Sequence, residues 1–133
     1  CSNSNVTDSH KKTVRMIFEA VGQIIELDEH LFPAFTSIAG CSPAFTLMYI
    51  DALAEAGVRY GIPKAAALNI AAQSVLGTTR LWQETGEHPR ALLDQVCSPG
   101  GTTIEGVCAL QRNGFENAVL EAVRASFEKD NKL

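Results

Sequence analysis

Apolar residues recur at helical spacing along most of this chain, and polar or Gly/Pro breaks divide them into amphipathic segments. The first segment follows Thr7 and Asp8, either of which can cap a helix. Val14, Ile17, Phe18 and Val21 give it one apolar face, and Gly22 stands at its C-terminal end. Gln23-Ile24-Ile25-Glu26-Leu27 then breaks the helical rhythm and reads as a short strand. A lone strand has no sheet to join within this chain. Residues 1–28 therefore read as the tail of a sheet-containing unit, and 29–133 as a separate one.

From Glu29 onward the pattern is all-helical. Residues 29–39 predict a short helix with Pro33 near its start, broken by Gly40-Cys41-Ser42-Pro43. Residues 44–57 carry Phe45, Leu47, Met48, Ile50, Leu53 and Ala54, with Gly57 expected to close them. Gly61-Ile62-Pro63 punctuates again, and residues 64–85 form the longest helix, ended by Gly86 and Pro89. Residues 90–96, 102–113 and 116–128 complete the series, with Asn113-Gly114 closing the second of these. The expected fold class is all-α, a helical bundle preceded by a short helix–strand remnant.

Residues 64–85 change the picture most. Ala65, Ala66, Ala67, Leu68, Ile70, Ala71, Ala72, Val75 and Leu76 leave the first half almost without a polar perimeter. A helix that is apolar nearly all round is buried on more than one side. A chain of 133 residues has room for one domain but little to spare for wrapping such a helix. The pattern thus predicts a dimer in which a partner subunit covers it. A central helix in a monomeric bundle is the other arrangement it allows.

Charge and cysteines narrow the function classes. The net charge of −4 gives no electrostatic case for nucleic acid or an anionic membrane as partner. Cys1, Cys41, Cys97 and Cys108 show no CxxC spacing and no neighbouring His, so no metal site is expected. Nothing demands a disulfide, and a reducing, cytoplasmic setting is the simplest expectation. No signal peptide and no apolar run of bilayer length is evident. The chain begins at Cys1 rather than Met, which suggests a piece of a longer protein.

Candidate chemistry concentrates at Asp94-Gln95-Val96-Cys97-Ser98-Pro99-Gly100-Gly101-Thr102-Thr103-Ile104-Glu105-Gly106. Pro99 fixes one φ and removes a donor, and Gly100 and Gly101 let the backbone curl. The amides that open the next helix face that curl beside hydroxyls from Ser98, Thr102 and Thr103. Such an arrangement suits an anionic group, a carboxylate included. The same residues would also serve an ordinary helix–helix connection capped by a threonine. Other candidates are weaker. His10, His30 and His88 lie far apart and read as surface or capping residues. Asp51 and Glu55 share a helix face that reads as a solvated edge. Ser42 lacks the surroundings of a nucleophile elbow. Trp82 reads as core or interface, and Cys41 as small and buried.

Three segments together resemble the C-terminal half of pyrroline-5-carboxylate reductase. They are Thr36-Ser37-Ile38-Ala39-Gly40-Cys41-Ser42-Pro43-Ala44-Phe45, then Asp51 through Pro63 with its Asp51-Ala52-Leu53-Ala54-Glu55-Ala56-Gly57-Val58 opening, and Asp94 through Gly106. The resemblance covers essentially the whole chain, and the Ser98-to-Thr103 block is its most specific part. It implies a helical domain that forms an interlocked homodimer, sometimes assembled further into a decamer of five dimers. It implies reduction of 1-pyrroline-5-carboxylate to L-proline with NADPH or NADH, the last step of proline biosynthesis. A non-catalytic homodimerisation module is the other function considered.

By the same resemblance, residues 1–28 end a Rossmann-type dinucleotide-binding domain. The chain has no G-x-G-x-x-G after a strand, so it is expected to bind no cofactor alone. Val96, Ser98, Pro99, Gly100, Gly101, Thr102 and Thr103 would hold the substrate, with Thr103 catalytic. Gly40, Cys41, Ser42 and Pro43 would lie beside the nicotinamide. Cys41 and Ala39 stand where the family often has Ser, which removes two hydroxyls from that turn.

Overall fold

The computed structural model describes residues 1–2 and 4–132. Helix α1 spans Asp8–Glu19 and begins on a reciprocal cap. The Thr7 hydroxyl accepts from the His10 amide at 3.3 Å, and His10 Nδ1 accepts from the Thr7 amide at 3.4 Å. His10 thus takes the place that Glu or Gln holds in the usual capping box. The strand expected over residues 23–27 does not form, and residues 23–28 have no regular structure. No strand occurs among the described residues for them to pair with. Arg15 pairs with Glu26 and so ties this segment back onto α1. The pair holds the Glu26 carboxyl below the ordinary carboxylate range, by hydrogen bond first and by charge second. The apolar face of α1 stays uncovered, with Val14, Ile17, Phe18 and Val21 all exposed.

Residues 29–59 follow one helical path whose hydrogen-bond register changes three times. A 3-10 turn, Glu29–Leu31, leads into α2, Phe32–Phe35, then a π turn, Thr36–Gly40, and α3, Ser42–Arg59. Pro33 and Pro43 each fall in a first turn, where a missing amide leaves no gap in the ladder. The expected break at Gly40–Pro43 is therefore absent, because Cys41 keeps helical angles (φ −93°, ψ −33°). Joined in this way, the 31 residues are long and apolar enough, by length and composition, to cross a bilayer. The sequence expectation of no such run is corrected to that extent, although α3 packs against α4.

Helix α3 ends two residues later than the sequence suggests, on Gly61 rather than Gly57. The Ile62 amide reaches the Gly57 carbonyl at 3.0 Å and the Gly61 amide reaches the Val58 carbonyl at 3.0 Å. This is a Schellman closure, and Gly61 supplies the left-handed φ of +95° it requires. The short link folds α4, Lys64–Thr85, back on α3 as an αα-hairpin. Lys64 pairs with Asp51 across it at 2.5 Å, with both side chains partly in solvent. Three shorter helices follow: α5, Pro89–Val96; α6, Thr102–Arg112; and α7, Phe115–Asp130. His88 Nδ1 accepts from the Arg90 amide and caps α5, and Gly86 (φ +66°) and Gly114 (φ +73°) end α4 and α6.

The core is almost absent. Among the described residues, the buried apolar side chains are Ala54, Ala67 and Ala71, all on the α3–α4 seam. Larger residues on the same helices face outward, Leu47, Met48, Ile70 and Leu76 among them, and Trp82 is half exposed. The chain exposes 10513 Å², whereas a compact monomer of 14.3 kDa exposes about 6,800 Å². The excess is several times the roughly 800 Å² that one partner buries in a standard interface.

Candidate functional site

Residues 97–101 form a tight turn between two helices. Cys97 leaves α5 at φ −98°, ψ 85°. Ser98, Pro99, Gly100 and Gly101 then make a β-turn closed by the Gly101 amide on the Ser98 carbonyl at 3.0 Å. Proline at the second position and a glycine of φ +68° at the third are the type II pattern. A side chain at Gly100 would be strained there.

Gly101 is needed for another reason. Its backbone is extended (φ −80°, ψ 170°), so the angles suit any residue. A Cβ on it, however, would collide with the Ser98 hydroxyl and lie 3.1 Å from the Ser98 carbonyl. The two glycines thus do different work: one makes the turn and the other leaves room for a hydroxyl.

Gly101 is also the N-cap of α6, and no side chain caps that helix. The threonine cap that the sequence allowed does not form. Thr102 and Thr103 occupy the first two helical positions, and the amides of this first turn have no partner within the helix. Free amides and the positive end of the helix dipole thus lie at an exposed corner that also carries Ser98, Thr102 and Thr103. Val96, 61% exposed, stands at the end of α5 beside it.

The helices on either side of the turn are braced away from it. Arg90 on α5 pairs with Glu116 on α7 at 2.7 Å. Tyr49 on α3 stacks at a tilt on Phe115, with ring centroids 6.0 Å apart. Leu93, Val107 and Leu110 join them around a concavity of about 380 Å³. Neither this concavity nor the larger one, of about 700 Å³ between α1 and residues 24–28, includes the Ser98–Thr103 turn. The turn is presented outward rather than enclosed by its own chain.

The second predicted group, Gly40, Cys41, Ser42 and Pro43, lies where the π turn meets α3. The Cys41 amide bonds the Thr36 carbonyl at 3.1 Å, and no side chain caps α3. Cys41 is half-buried rather than buried. Helix α7 packs on the π turn and also on α6, so one helix braces both candidate groups. Periodicity alone gives no reason to single out Ser37, yet it is fully buried, with its hydroxyl donating to the Pro33 carbonyl at 2.8 Å. Its only sequence signal is a serine four residues after a proline. Asp51 is spoken for by Lys64 and the carboxylate pair with Glu55 lies on an exposed edge, as the spacing suggested.

Comparison with known proteins points to one family. A curated pyrroline-5-carboxylate reductase from Synechocystis is 44% identical over 132 residues, covering 99% of this chain and 49% of that protein. A crystal structure of 1-pyrroline-5-carboxylate reductase from Streptococcus pyogenes superposes with a TM-score of 0.92 at 38% identity, over 98% of this chain and 51% of that one. The Plasmodium falciparum pyrroline carboxylate reductase, solved with NADP bound, gives 0.88 at 36% identity, over 97% and 49%. The chain spans about half the length of the relatives it matches. The family model described as pyrroline-5-carboxylate reductase dimerisation matches residues 29–133, and the chain belongs to that family.

Proposed function

We propose that this chain is the dimerisation and substrate-binding half of a pyrroline-5-carboxylate reductase, which reduces 1-pyrroline-5-carboxylate to L-proline. The observation that carries this reading is the uncapped N-terminus of α6 opening onto the Ser98–Gly101 turn, in a chain matched by the family over residues 29–133.

Reducing a cyclic imine needs a hydride on carbon, a proton on nitrogen and one fixed ring face. NADPH or NADH supplies the hydride. The residues present fit one end of such a cofactor: Gly40, Cys41, Ser42 and Pro43 offer small side chains at an uncapped helix start. No phosphate-binding glycine loop accompanies them, so the remainder belongs to a dinucleotide-binding half of which residues 1–28 are the end. The uncovered apolar face of α1 supports that assignment.

The chain's own residues position the substrate. Its carboxylate sits against the α6 amides and the Ser98 and Thr102 hydroxyls, with Pro99, Gly100 and Gly101 shaping the turn. Val96 lines the ring, and the Thr103 hydroxyl orients the imine nitrogen or relays a proton to it. Holding the ring in one pose lowers the barrier without a strong acid. The partner subunit closes the site over the exposed turn. The assembly is a homodimer, able to build a decamer of five dimers, without nucleic acid or membrane. The setting is a reducing, cytoplasmic one.

The test is an assay of NADPH oxidation with 1-pyrroline-5-carboxylate by the full-length protein, beside light scattering of the isolated chain. Activity of the first, and a dimer without turnover for the second, are expected. A full-length protein that forms dimers but leaves the imine untouched would reduce the chain to a homodimerisation module.

A further inference from the structure

We propose that Ser37 is a positioning residue for the nicotinamide side of the site, acting through the π turn that ends at Gly40; this rests on the function proposed above. Ser37 is fully buried, and its hydroxyl donates to the Pro33 carbonyl at 2.8 Å. That carbonyl also receives the Thr36 amide, which is shared with the Phe32 carbonyl. Five residues further on, the Cys41 amide reaches back to the Thr36 carbonyl at 3.1 Å, one residue more than an α turn spans. The ladder is therefore tightened at Thr36 and widened at Cys41, and Ser37 lies between the two.

A serine hydroxyl on the carbonyl four residues back competes with the α ladder and bends the helix. It satisfies Pro33's carbonyl while the register changes beside it. The change matters because one extra residue in a turn rotates everything that follows by about 100°. Gly40, Cys41, Ser42 and Pro43 come next, and Pro43 locks them into the first turn of α3. Which of their groups face the site is thus set by the register at Ser37. Helix α7 packs on the π turn from outside and holds it in place.

The experiment is Ser37→Ala in the full-length protein, a change that removes the hydroxyl and adds no volume. The expected result is a KM for NADPH raised about tenfold, the size of one lost buried hydrogen bond, with kcat and the KM for the imine within about twofold. Cys41 provides a second readout that needs no activity. Its alkylation by iodoacetamide, followed by peptide mass spectrometry, is expected to run several-fold faster in the variant. A merely structural role predicts less folded protein, an unchanged KM for NADPH and unchanged Cys41 labelling, and that result overturns the proposal. If the unsubstituted protein fails to reduce the imine, the functional reading falls on its own. The Cys41 labelling then decides whether Ser37 sets the turn: unchanged labelling overturns that claim too.

Discussion

Gly57 on α3 and Ala67 on α4 face each other so closely that a Cβ on Gly57 would lie 3.1 Å from the Ala67 Cβ. With Ala54 and Ala71 they make a seam of small side chains along the hairpin. Small residues let two helices approach closely, and they also leave the larger residues of both helices outside. The hairpin is tightly joined and yet supplies little core.

The first prediction tests that seam. Gly57→Ala adds about 1 kcal/mol of helix propensity and loses a similar amount by wedging Ala67, so its thermal stability stays close to that of the parent. Gly57→Leu has no such compensation, and overpacking costs it about 3 kcal/mol. Thermal unfolding followed by circular dichroism separates the two. A leucine variant that melts like the parent would show that the seam is loose.

The second prediction concerns Gly101. Its backbone angles suit alanine, so the cost of Gly101→Ala falls on the Ser98 hydroxyl it displaces. The KM for the imine in the full-length protein rises about tenfold, the loss of one hydrogen bond to a charged group. In a Ser98→Ala background the same glycine change costs about threefold or less, because the two act on one interaction. Strict additivity of the two changes would separate Gly101 from the hydroxyl.

Glycine shows how much of this fold can be read without coordinates. Gly61, Gly86 and Gly114 stand at helix ends and carry positive φ, which punctuation alone suggested. Gly57 looks the same in sequence, but it is a packing residue within the last turn of α3, and Ala67 across the seam distinguishes it. Residues 23–27 read as a short strand, yet a strand is a property of two segments and its partner is not in this chain. Pro43 looked like a break, but proline in a first turn leaves the helical path unbroken. The Ser98–Thr103 turn was legible because its conformation is local: one proline and two glycines determine it. Its enclosure was not legible, since the walls come from elsewhere.

The third prediction separates Thr103 from its neighbours. In the proposed site the Thr103 amide would serve the carboxylate whatever the side chain is, so substitution tests the hydroxyl alone. Thr103→Ala lowers kcat for the imine by about a hundredfold, the lower range for a positioned proton-transfer group. Thr103→Ser, which retains the hydroxyl, restores most of it. Turnover unchanged in the alanine variant would remove Thr103 from the mechanism.

The fourth prediction follows from Arg15 and Glu26. The Glu26 carboxyl titrates below its ordinary range because Arg15 stabilises the charged form. A group depressed in this way contributes stability above its unfolded pKa and loses it as pH falls through the folded one. Both groups are solvent-exposed, so the effect is small, local and weakened by salt. Acidification below the ordinary carboxylate range is expected to release residues 23–28 from α1. Hydrogen exchange of the α1 amides would then quicken at acid pH, corrected for intrinsic rates, while α3 and α4 keep their protection. Glu26→Gln shows the faster exchange already at neutral pH. Equal protection of α1 in parent and variant at both pH values would mean that the pair tethers nothing.

The fifth prediction concerns what covers α4. Ile70 and Leu76 are 58% and 61% exposed on a helix whose buried residues are alanines. Burying one such side chain contributes about 1.5–3 kcal/mol, and placing an unpaired charge there costs more. Ile70→Asp with Leu76→Asp should therefore convert a light-scattering dimer to monomer. The monomer would retain only the small α3–α4 seam, too little to offset its chain entropy. Loss of the dimer is thus expected to coincide with loss of cooperative melting. The parent carries the same signature in milder form: its Tm should rise with protein concentration, because folding and association are one equilibrium. A Tm independent of concentration would mean that the alanine seam folds unaided, and the outward apolar residues would need another explanation.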